Sequence, residues 1–188
     1  MKHLRIILVL AALIAAPLRA EPVPYALEGA KSKVGFTYAF SGKTTEGTMP
    51  VRAADLLIDL ADISKSRIDV TLDPSRAKAG FVFATDAMKG PKVLDTARHP
   101  RIRFIARRIT GDLSGAKVAG DLTVRGVTRP VTLDARLYRQ QGTAADDLRR
   151  LSVLLTGSID RRDFGAEGFP DLVGPTIGLR ILARMERQ

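Results

Sequence analysis

Residues 120–135 read Gly-Asp-Leu-Thr-Val-Arg-Gly-Val-Thr-Arg-Pro-Val-Thr-Leu-Asp-Ala, and this stretch decides the fold. Apolar and polar residues alternate on both sides of Arg125-Gly126, which is the two-residue period of strands that bury one face. Gly126 allows a positive φ at the break, and Pro130 lies at the start of the return strand, where a missing N–H is tolerated. The stretch therefore predicts a β-hairpin, and we expect its arginines to stay in water.

The same period recurs along most of residues 21–188. It predicts at least eight strands, including one at 51–60 whose faces are hard to assign. Ile105 falls on the charged side of its strand and interrupts the alternation there. The apolar faces are predicted to contain Val34, Phe36, Tyr38 and Phe40; Ile68, Val70 and Leu72; Ile102, Phe104 and Ala106; Val118, Leu122 and Val124; Val131, Leu133, Ala135 and Leu137; Leu151, Val153, Leu155 and Ile159; and Ile177, Leu179, Ile181, Ala183 and Met185.

Short breaks rich in Gly, Asp and Ser separate these strands, so consecutive antiparallel hairpins are favoured over crossover units. Closing such a sheet into an up-and-down barrel removes its exposed edges. Between Pro74 and Pro100 the period changes, and the Ala-rich residues 75–88 and the following residues 90–98 each predict a short helix. We therefore expect a mainly β protein, a single antiparallel barrel of about eight strands with one or two short helices inserted over a face or an open end.

The first 20 residues have a basic start, an apolar run over 6–16 and the small residue Ala20 at the end. This layout is typical of a secretory signal peptide, and the apolar run is too short for a membrane span of roughly 20 residues. We expect a signal peptide at 1–20, one domain at 21–188 and a periplasmic location. An uncleaved anchor is the alternative.

The chain is basic, with a formal net charge of +10. Removal of residues 1–20 takes away three basic residues and no acidic one, so the remainder stays basic. Such a surplus either keeps an exported protein soluble or attracts anionic lipid head groups. Export argues against nucleic acid as a partner.

The inventory of reactive side chains argues against catalysis. Residues 21–188 contain no cysteine and a single histidine, His99, so a zinc site with three or four His or Cys ligands is not available. His99 is predicted to be a turn residue rather than a catalytic base. Asp160 and Asp163 neighbour Arg161 and Arg162, and ion pairing there would lower their pKa values, the wrong direction for a general acid. We predict no enzyme activity, no metal and no cofactor.

The hairpin Gly-Asp-Leu-Thr-Val-Arg-Gly-Val-Thr-Arg-Pro-Val-Thr-Leu resembles the signature of the polyisoprenoid-binding, YceI-like family of exported lipocalin-like barrels. Three further passages resemble that family in the same order: Tyr25-Ala-Leu followed by Ser32-Lys-Val-Gly-Phe36, Leu94-Asp95 followed by Pro100-Arg-Ile-Arg-Phe104, and Ile159-Asp-Arg-Arg-Asp-Phe-Gly165. The chain departs from the family at Phe40-Ser-Gly, where relatives commonly carry a histidine, and at Asp73-Pro-Ser-Arg-Ala-Lys.

The resemblance implies a channel inside the barrel that holds an isoprenoid chain of the quinone or polyprenyl type. The candidate ligand-binding residues are large apolar side chains from the strands and from the insert, which would act as a gate. Each is equally compatible with an ordinary core. They are Phe36, Tyr38, Ile68, Val70, Phe81, Phe83, Met88, Leu94, Phe104, Leu122, Val131, Leu133, Val153 and Leu179.

Small residues on the apolar faces have two interpretations. They either leave the lumen open or fit beneath a bulky neighbour. They are Ala106, Gly120, Ala135, Gly157 and Ala183.

We therefore predict a non-catalytic periplasmic protein that sequesters or transports an isoprenoid lipid. The alternative is an envelope interaction module with a filled barrel, and an enzyme on the same scaffold ranks last. The basic cluster formed by Arg98, Arg101, Arg103, Arg107 and Arg108 either contacts an anionic membrane surface or is a solvated strand face. Monomer and homodimer both stay open.

Overall fold

A computed structural model describes residues 21–138, 144 and 147–188. The signal peptide predicted at 1–20 and part of the polar, charged loop that the sequence predicts at 140–150 lie outside these residues. Within them, ten strands and one α-helix form a single sheet with an insert. The strands are β1 (Val23–Leu27), β2 (Lys33–Phe40), β3 (Lys43–Met49), β4 (Val51–Ile58), β5 (Arg67–Leu72), β6 (Ile102–Gly111), β7 (Ala116–Val124), β8 (Val127–Tyr138), β9 (Arg150–Asp160) and β10 (Val173–Arg187), and the helix is α1 (Val82–Lys89).

The sheet closes into an antiparallel barrel of eight strands. The strand order runs β1-β4-β5-β6-β7-β8-β9-β10, and β10 pairs back with β1. The β2–β3 hairpin extends the barrel wall beyond β1 and β4. β2 pairs with the first part of β10 and with β3, while β1 pairs with the end of β10. The predicted up-and-down barrel is confirmed.

The hairpin of β7 and β8 has the predicted geometry. Asp121 lies opposite Pro130 and Val124 opposite Val127, which leaves Arg125 and Gly126 as a two-residue turn. Their φ values are 51° and 77°, as a type I′ turn requires at both central positions.

The apolar faces turn inward, as predicted from the two-residue period. Leu122, Val124, Val131 and Leu133 are all buried in one core cluster. In β6 a register shift between Ala106 and Arg108 adds one residue to the strand. This bulge returns Ile109 to the buried side, whereas Ile105 precedes the bulge and lies on the outer face opposite Asp69 and Asp121.

The insert between β5 and β6 differs from the two predicted helices. Residues 74–76 form a 3-10 turn capped by Asp73, and the following segment is extended, with Lys78 and Thr48 exchanging two backbone hydrogen bonds of 2.8 Å. Gly80 then adopts a φ of +84°, so the helix begins only at Val82. The helix expected over 75–88 is shorter because its first half pairs with β3.

The second predicted helix, at 90–98, is a series of turns instead. Its backbone is drawn towards α1, since the Leu94 amide donates to Met88 O at 2.9 Å and the Thr96 amide to Lys89 O at 3.0 Å. Asp95 has a φ of 49°, a left-handed conformation that a continuous helix does not allow. The insert covers the end of the barrel at which β5, β7 and β9 finish.

Candidate functional site

The barrel encloses a cavity of about 380 Å³. This volume lies in the range of about 300–1,000 Å³ that is typical of small-molecule sites. Residues from both ends of the barrel contribute to its wall: Leu60, Ile63 and Leu113 at one end, and Phe83 and Leu172 at the end that carries the insert. The interior is therefore not filled by its own side chains.

Thirteen of the fourteen candidate ligand-binding residues line this cavity. They are Phe36, Tyr38, Ile68, Val70, Phe83, Met88, Leu94, Phe104, Leu122, Val131, Leu133, Val153 and Leu179. Phe81 is not among the lining residues. Its ring packs edge to face on Phe40, with 5.2 Å between the ring centroids. The strands and the insert bring the remaining candidates around one common space.

The small residues on the apolar faces divide between the two interpretations. A Cβ on Gly120 would lie 2.7 Å from the Phe104 ring, and one on Gly157 would lie 2.7 Å from a Leu133 methyl group, so both glycines fit beneath bulky neighbours. Ala135 and Ala183 instead form part of the cavity wall. Ala106 is not part of the wall and packs against a core cluster. Two of the three alanines thus border the open lumen, whereas the glycines let large side chains pack against the sheet.

Four polar residues contribute to the wall: Ser32, Ser66, Asp112 and Arg161. Each already has partners within the protein. The Ser32 hydroxyl accepts from the Arg184 amide at 3.0 Å, and Ser66 Oγ accepts from the Asp59 amide at 3.0 Å. Asp112 Oδ1 accepts from the amides of the turn that follows it. These polar groups are committed to holding turns and strands.

Tyr38 contributes its ring to the cavity and its hydroxyl to the insert. The hydroxyl donates to Ala79 O at 2.7 Å in a buried position, which ties β2 to the segment before α1. Burial raises the pKa of the Tyr38 phenol, so it stays a neutral donor. The hydrogen bond is therefore structural.

Arg161 is the polar residue that the sequence analysis missed. It is buried, and its guanidinium donates to the carbonyls of four residues between 166 and 174, at 2.8 Å for Gly168, 2.8 Å for Val173 and 3.0 Å for Gly174. Burial lowers its pKa, and the carbonyl oxygens solvate the charge. One signal was present in the sequence: Arg161 follows the inward-facing Ile159 by two positions, which predicts an inward side chain.

Arg162, the neighbouring residue, forms the expected ion pair. Its Nε lies 3.0 Å from Asp160 Oδ1. The hydrogen bonds from Arg162 hold the pKa of Asp160 at about 2, well below its usual value of 3.8. The predicted lowering of the Asp160 pKa is thus confirmed, and the charged side chain caps the turn that follows β9 by accepting from the Arg162 amide.

Of the two arginines of the β7–β8 hairpin, Arg129 is exposed, as expected, whereas Arg125 is half-buried. Arg125 Nη1 donates to Pro91 O at 2.8 Å and to Val93 O at 2.6 Å. Arg129 Nε donates to Asp163 O at 3.1 Å. The expectation was wrong for Arg125, because backbone carbonyls of the insert lie beside the hairpin tip and accept from its guanidinium.

Ion pairs neutralise part of the basic cluster. Arg98 pairs with Asp95 at 2.6 Å, Arg107 with Asp121 at 2.7 Å, and Arg103 Nε donates to Asp69 at 2.9 Å. These contacts fit a solvated strand face.

Across the ranges that the structure describes, no helix has the length and apolar character to cross a membrane. The same ranges contain no group of three or more His, Cys, Asp or Glu side chains placed to hold a metal ion.

Curated proteins from several bacteria resemble the chain in sequence. A UPF0312 protein of Serratia proteamaculans is 29% identical over 107 residues, which cover 57% of this chain and 55% of the relative. Protein YceI of Escherichia coli O157:H7 is 29% identical over 98 residues, covering 52% of this chain and 51% of that protein. The chain thus matches about half the length of these relatives.

Solved structures share the fold at lower sequence identity. BcnA of Burkholderia cenocepacia superposes with a TM-score of 0.74 at 18% identity, covering 85% of this chain and 99% of the other. A polyisoprenoid binding domain from Saccharophagus degradans, implicated in plant cell wall breakdown, gives 0.64 at 14% identity, covering 88% and 99%. Residues 25–185 match the family model of the YceI-like domain, and the chain therefore belongs to the YceI-like family.

Proposed function

We propose that the protein binds an isoprenoid lipid, of the quinone or polyprenyl type, inside the barrel and sequesters or carries it without catalysis. The observation that carries this proposal is the apolar cavity of about 380 Å³, whose wall takes residues from both ends of the barrel. The name of the Saccharophagus degradans neighbour, a polyisoprenoid binding domain, supports the class of ligand. The signal-type sequence at 1–20 supports a periplasmic location.

The tail rather than the head group would supply the affinity. Each CH₂ group removed from water contributes about 0.8 kcal/mol. The polar groups of the wall are committed to other partners: Ser32, Ser66 and Asp112 to backbone amides and Arg161 to backbone carbonyls. A ligand is therefore held by its apolar length, and its head group is not selected deep in the cavity.

The cavity also bears on the alternative function. An envelope interaction module was predicted to have a filled barrel, and an interior space of this size argues against it. Small alanines at the wall, such as Ala183, offer a direct way to create that filled barrel by substitution.

We predict that Ala183→Phe abolishes lipid binding by filling the cavity. Arg180→Phe is the matched control, because Arg180 lies exposed on the outer face of the same strand. Each protein is purified from a host with membranes, and its organic extract is measured by mass spectrometry. Wild type and Arg180→Phe should carry close to one prenyl lipid per chain, and Ala183→Phe should carry far less.

A second measurement detects lipid binding even when the lipid is lost during purification. Added polyprenyl alcohol should raise the melting temperature of wild type and of Arg180→Phe, because a ligand at 100 times its Kd stabilises a fold by about 2.7 kcal/mol. Wild-type protein that yields no prenyl lipid and shows no rise in melting temperature would overturn the proposal.

A further inference from the structure

Exposed apolar side chains gather at the end of the barrel that carries α1. We call Phe81, Val82, Phe83 and Leu172 the apolar lip; these side chains are 41%, 78%, 64% and 43% exposed. In the described ranges the other large apolar side chains with comparable exposure are Tyr138 and Leu148, at the opposite end of the barrel. The exposure is thus concentrated at the two ends, and mainly beside the insert.

Contacts around the β2–β3 turn join the members of the lip. Phe81 packs on Phe40, the last residue of β2, and Leu172 O accepts the amide of the next residue, Ser41, at 2.8 Å. Thr85 fixes the backbone from the other side, because its hydroxyl donates to Phe81 O at 2.9 Å and accepts the Ala79 amide at 3.0 Å. These contacts therefore hold the backbone of the apolar lip in place.

The apolar lip is continuous with the cavity. Phe83 and Leu172 belong to both, since each is exposed to solvent and also lines the interior. Val82, the most exposed member, does not line the cavity. A long apolar ligand can therefore pass between the outside and the interior along side chains of one chemical character.

The charges around the apolar lip are mixed. Exposed residues of both signs lie on the neighbouring β2–β3 hairpin, on α1 and in the adjoining loops: Lys43, Lys78 and Lys92 are basic, and Glu46, Asp86 and Asp171 are acidic. Such a surface offers no strong field of one sign. Apolar contact must therefore provide the attraction.

We propose that the apolar lip inserts into the boundary between head groups and hydrocarbon of a lipid bilayer, and that the lipid enters the cavity there. This inference rests on the proposed function. Four side chains are too few for the roughly 1,200 Å² that a stable protein interface buries, so a second copy of the chain does not fit. A bilayer needs no complementary surface and accepts a few inserted apolar side chains.

The chain contains no tryptophan, so a single introduced tryptophan reports insertion without background. Val82→Trp is compared with Tyr138→Trp, which places the probe at the opposite end. Vesicles of phosphatidylcholine, with and without phosphatidylglycerol, should shift the emission of Val82→Trp to the blue at low and at high salt, and brominated lipid should quench it. Tyr138→Trp should show neither effect. An equal response of both variants, or of neither, overturns the inference.

Val82→Asp tests the transfer step and leaves the cavity wall intact. Its affinity for polyprenyl alcohol dispersed without vesicles should match wild type, while loading from vesicles should slow about tenfold, since one buried Val side chain is lost from the membrane contact. Equal loading by Val82→Asp and wild type, with binding intact in both, overturns the inference alone. Absence of binding in both proteins overturns the proposed function.

A blue shift of Val82→Trp that grows with protein concentration in the absence of vesicles would indicate self-association and overturn the membrane proposal.

Discussion

At the scale of the residue, Arg161 and Arg162 are neighbours with opposite roles. Arg161 turns inward and donates to four backbone carbonyls between residues 166 and 174, whereas Arg162 lies exposed and pairs with Asp160. Carbonyls that lose a buried donor keep their full desolvation cost, while an exposed ion pair loses little because water replaces it. The stability of the corner therefore depends on the buried arginine.

We predict that Arg161→Met lowers the free energy of unfolding by at least about 3 kcal/mol, since several buried acceptors lose their donor together. Arg162→Met is the matched control and should cost much less, because water replaces the exposed ion pair. Urea unfolding of both variants measures the difference. Equal losses would mean that water reaches the four carbonyls and that the corner does not need the guanidinium.

The sequence predicts part of this corner. Adjacent opposite charges predict the ion pair of Asp160, and the alternation that places Ile159 inward also predicts the direction of Arg161. The carbonyl partners lie between Ala166 and Gly174, in a connection whose path has no period. The backbone groups that surround a buried charge depend on the tertiary structure, and the local sequence pattern does not predict them.

At the scale of the element, the tip of the β7–β8 hairpin holds the insert. Arg125 donates to two carbonyls in the segment between α1 and β6, and Arg129 donates to the β9–β10 corner. The hairpin therefore anchors both connections that cover this end of the barrel. An element predicted to be only a wall also fixes the cover of the cavity.

We predict that Arg125→Ala speeds amide hydrogen exchange at residues 90–96 and leaves the exchange of the β7 and β8 amides unchanged. The insert has few strand contacts of its own, so loss of two hydrogen bonds lowers its local opening energy and not that of the barrel. Arg129→Ala is the matched control and should speed exchange near residue 163 instead. A uniform increase over the whole sheet in Arg125→Ala would contradict this local role.

Strands and insert differ in how far the sequence predicts them. In a strand such as β7, the apolar residue at every second position predicts the buried face, and the pair Arg125-Gly126 predicts the turn. The start of α1 has no such local signal, because Phe81 occupies the N-cap without a side-chain hydrogen bond. Pairing of Lys78 with Thr48 of β3 decides where the helix begins, and that pairing is long-range.

At the scale of the whole molecule, closure of the barrel follows from the sequence and the cavity does not. Eight antiparallel strands without a covered edge favour closure. Whether the interior is open depends on how the volumes of side chains from facing strands add up, and a composition of Leu, Val, Phe and Ala is compatible with either outcome. The ten lining candidates on the strands were predictable as inward-facing, and the space between them was not.

Among the ladders of the barrel that do not involve β1, the one between β5 and β6 is the shortest, with four paired positions. The insert connects these same two strands, and their separation is the alternative route for a ligand, through the side of the barrel. If the lipid enters at the apolar lip, β5 and β6 never need to separate. A cross-link between them distinguishes the two routes.

We predict that Thr71→Cys combined with Arg103→Cys, in a chain that has no other cysteine, stabilises the barrel without slowing lipid loading. The two positions are register partners, and directly paired Cα atoms about 4.5–5.5 Å apart suit a disulfide. Closing a loop of about 30 residues contributes about 3–4 kcal/mol, which exceeds the small loss from the solvent-exposed Arg103–Asp69 pair. The melting temperature should therefore rise on oxidation, while oxidised and reduced protein should take up polyprenyl alcohol from vesicles at the same rate. Slower uptake by the oxidised protein alone would place the entrance between β5 and β6 and remove the apolar lip from the path of the ligand.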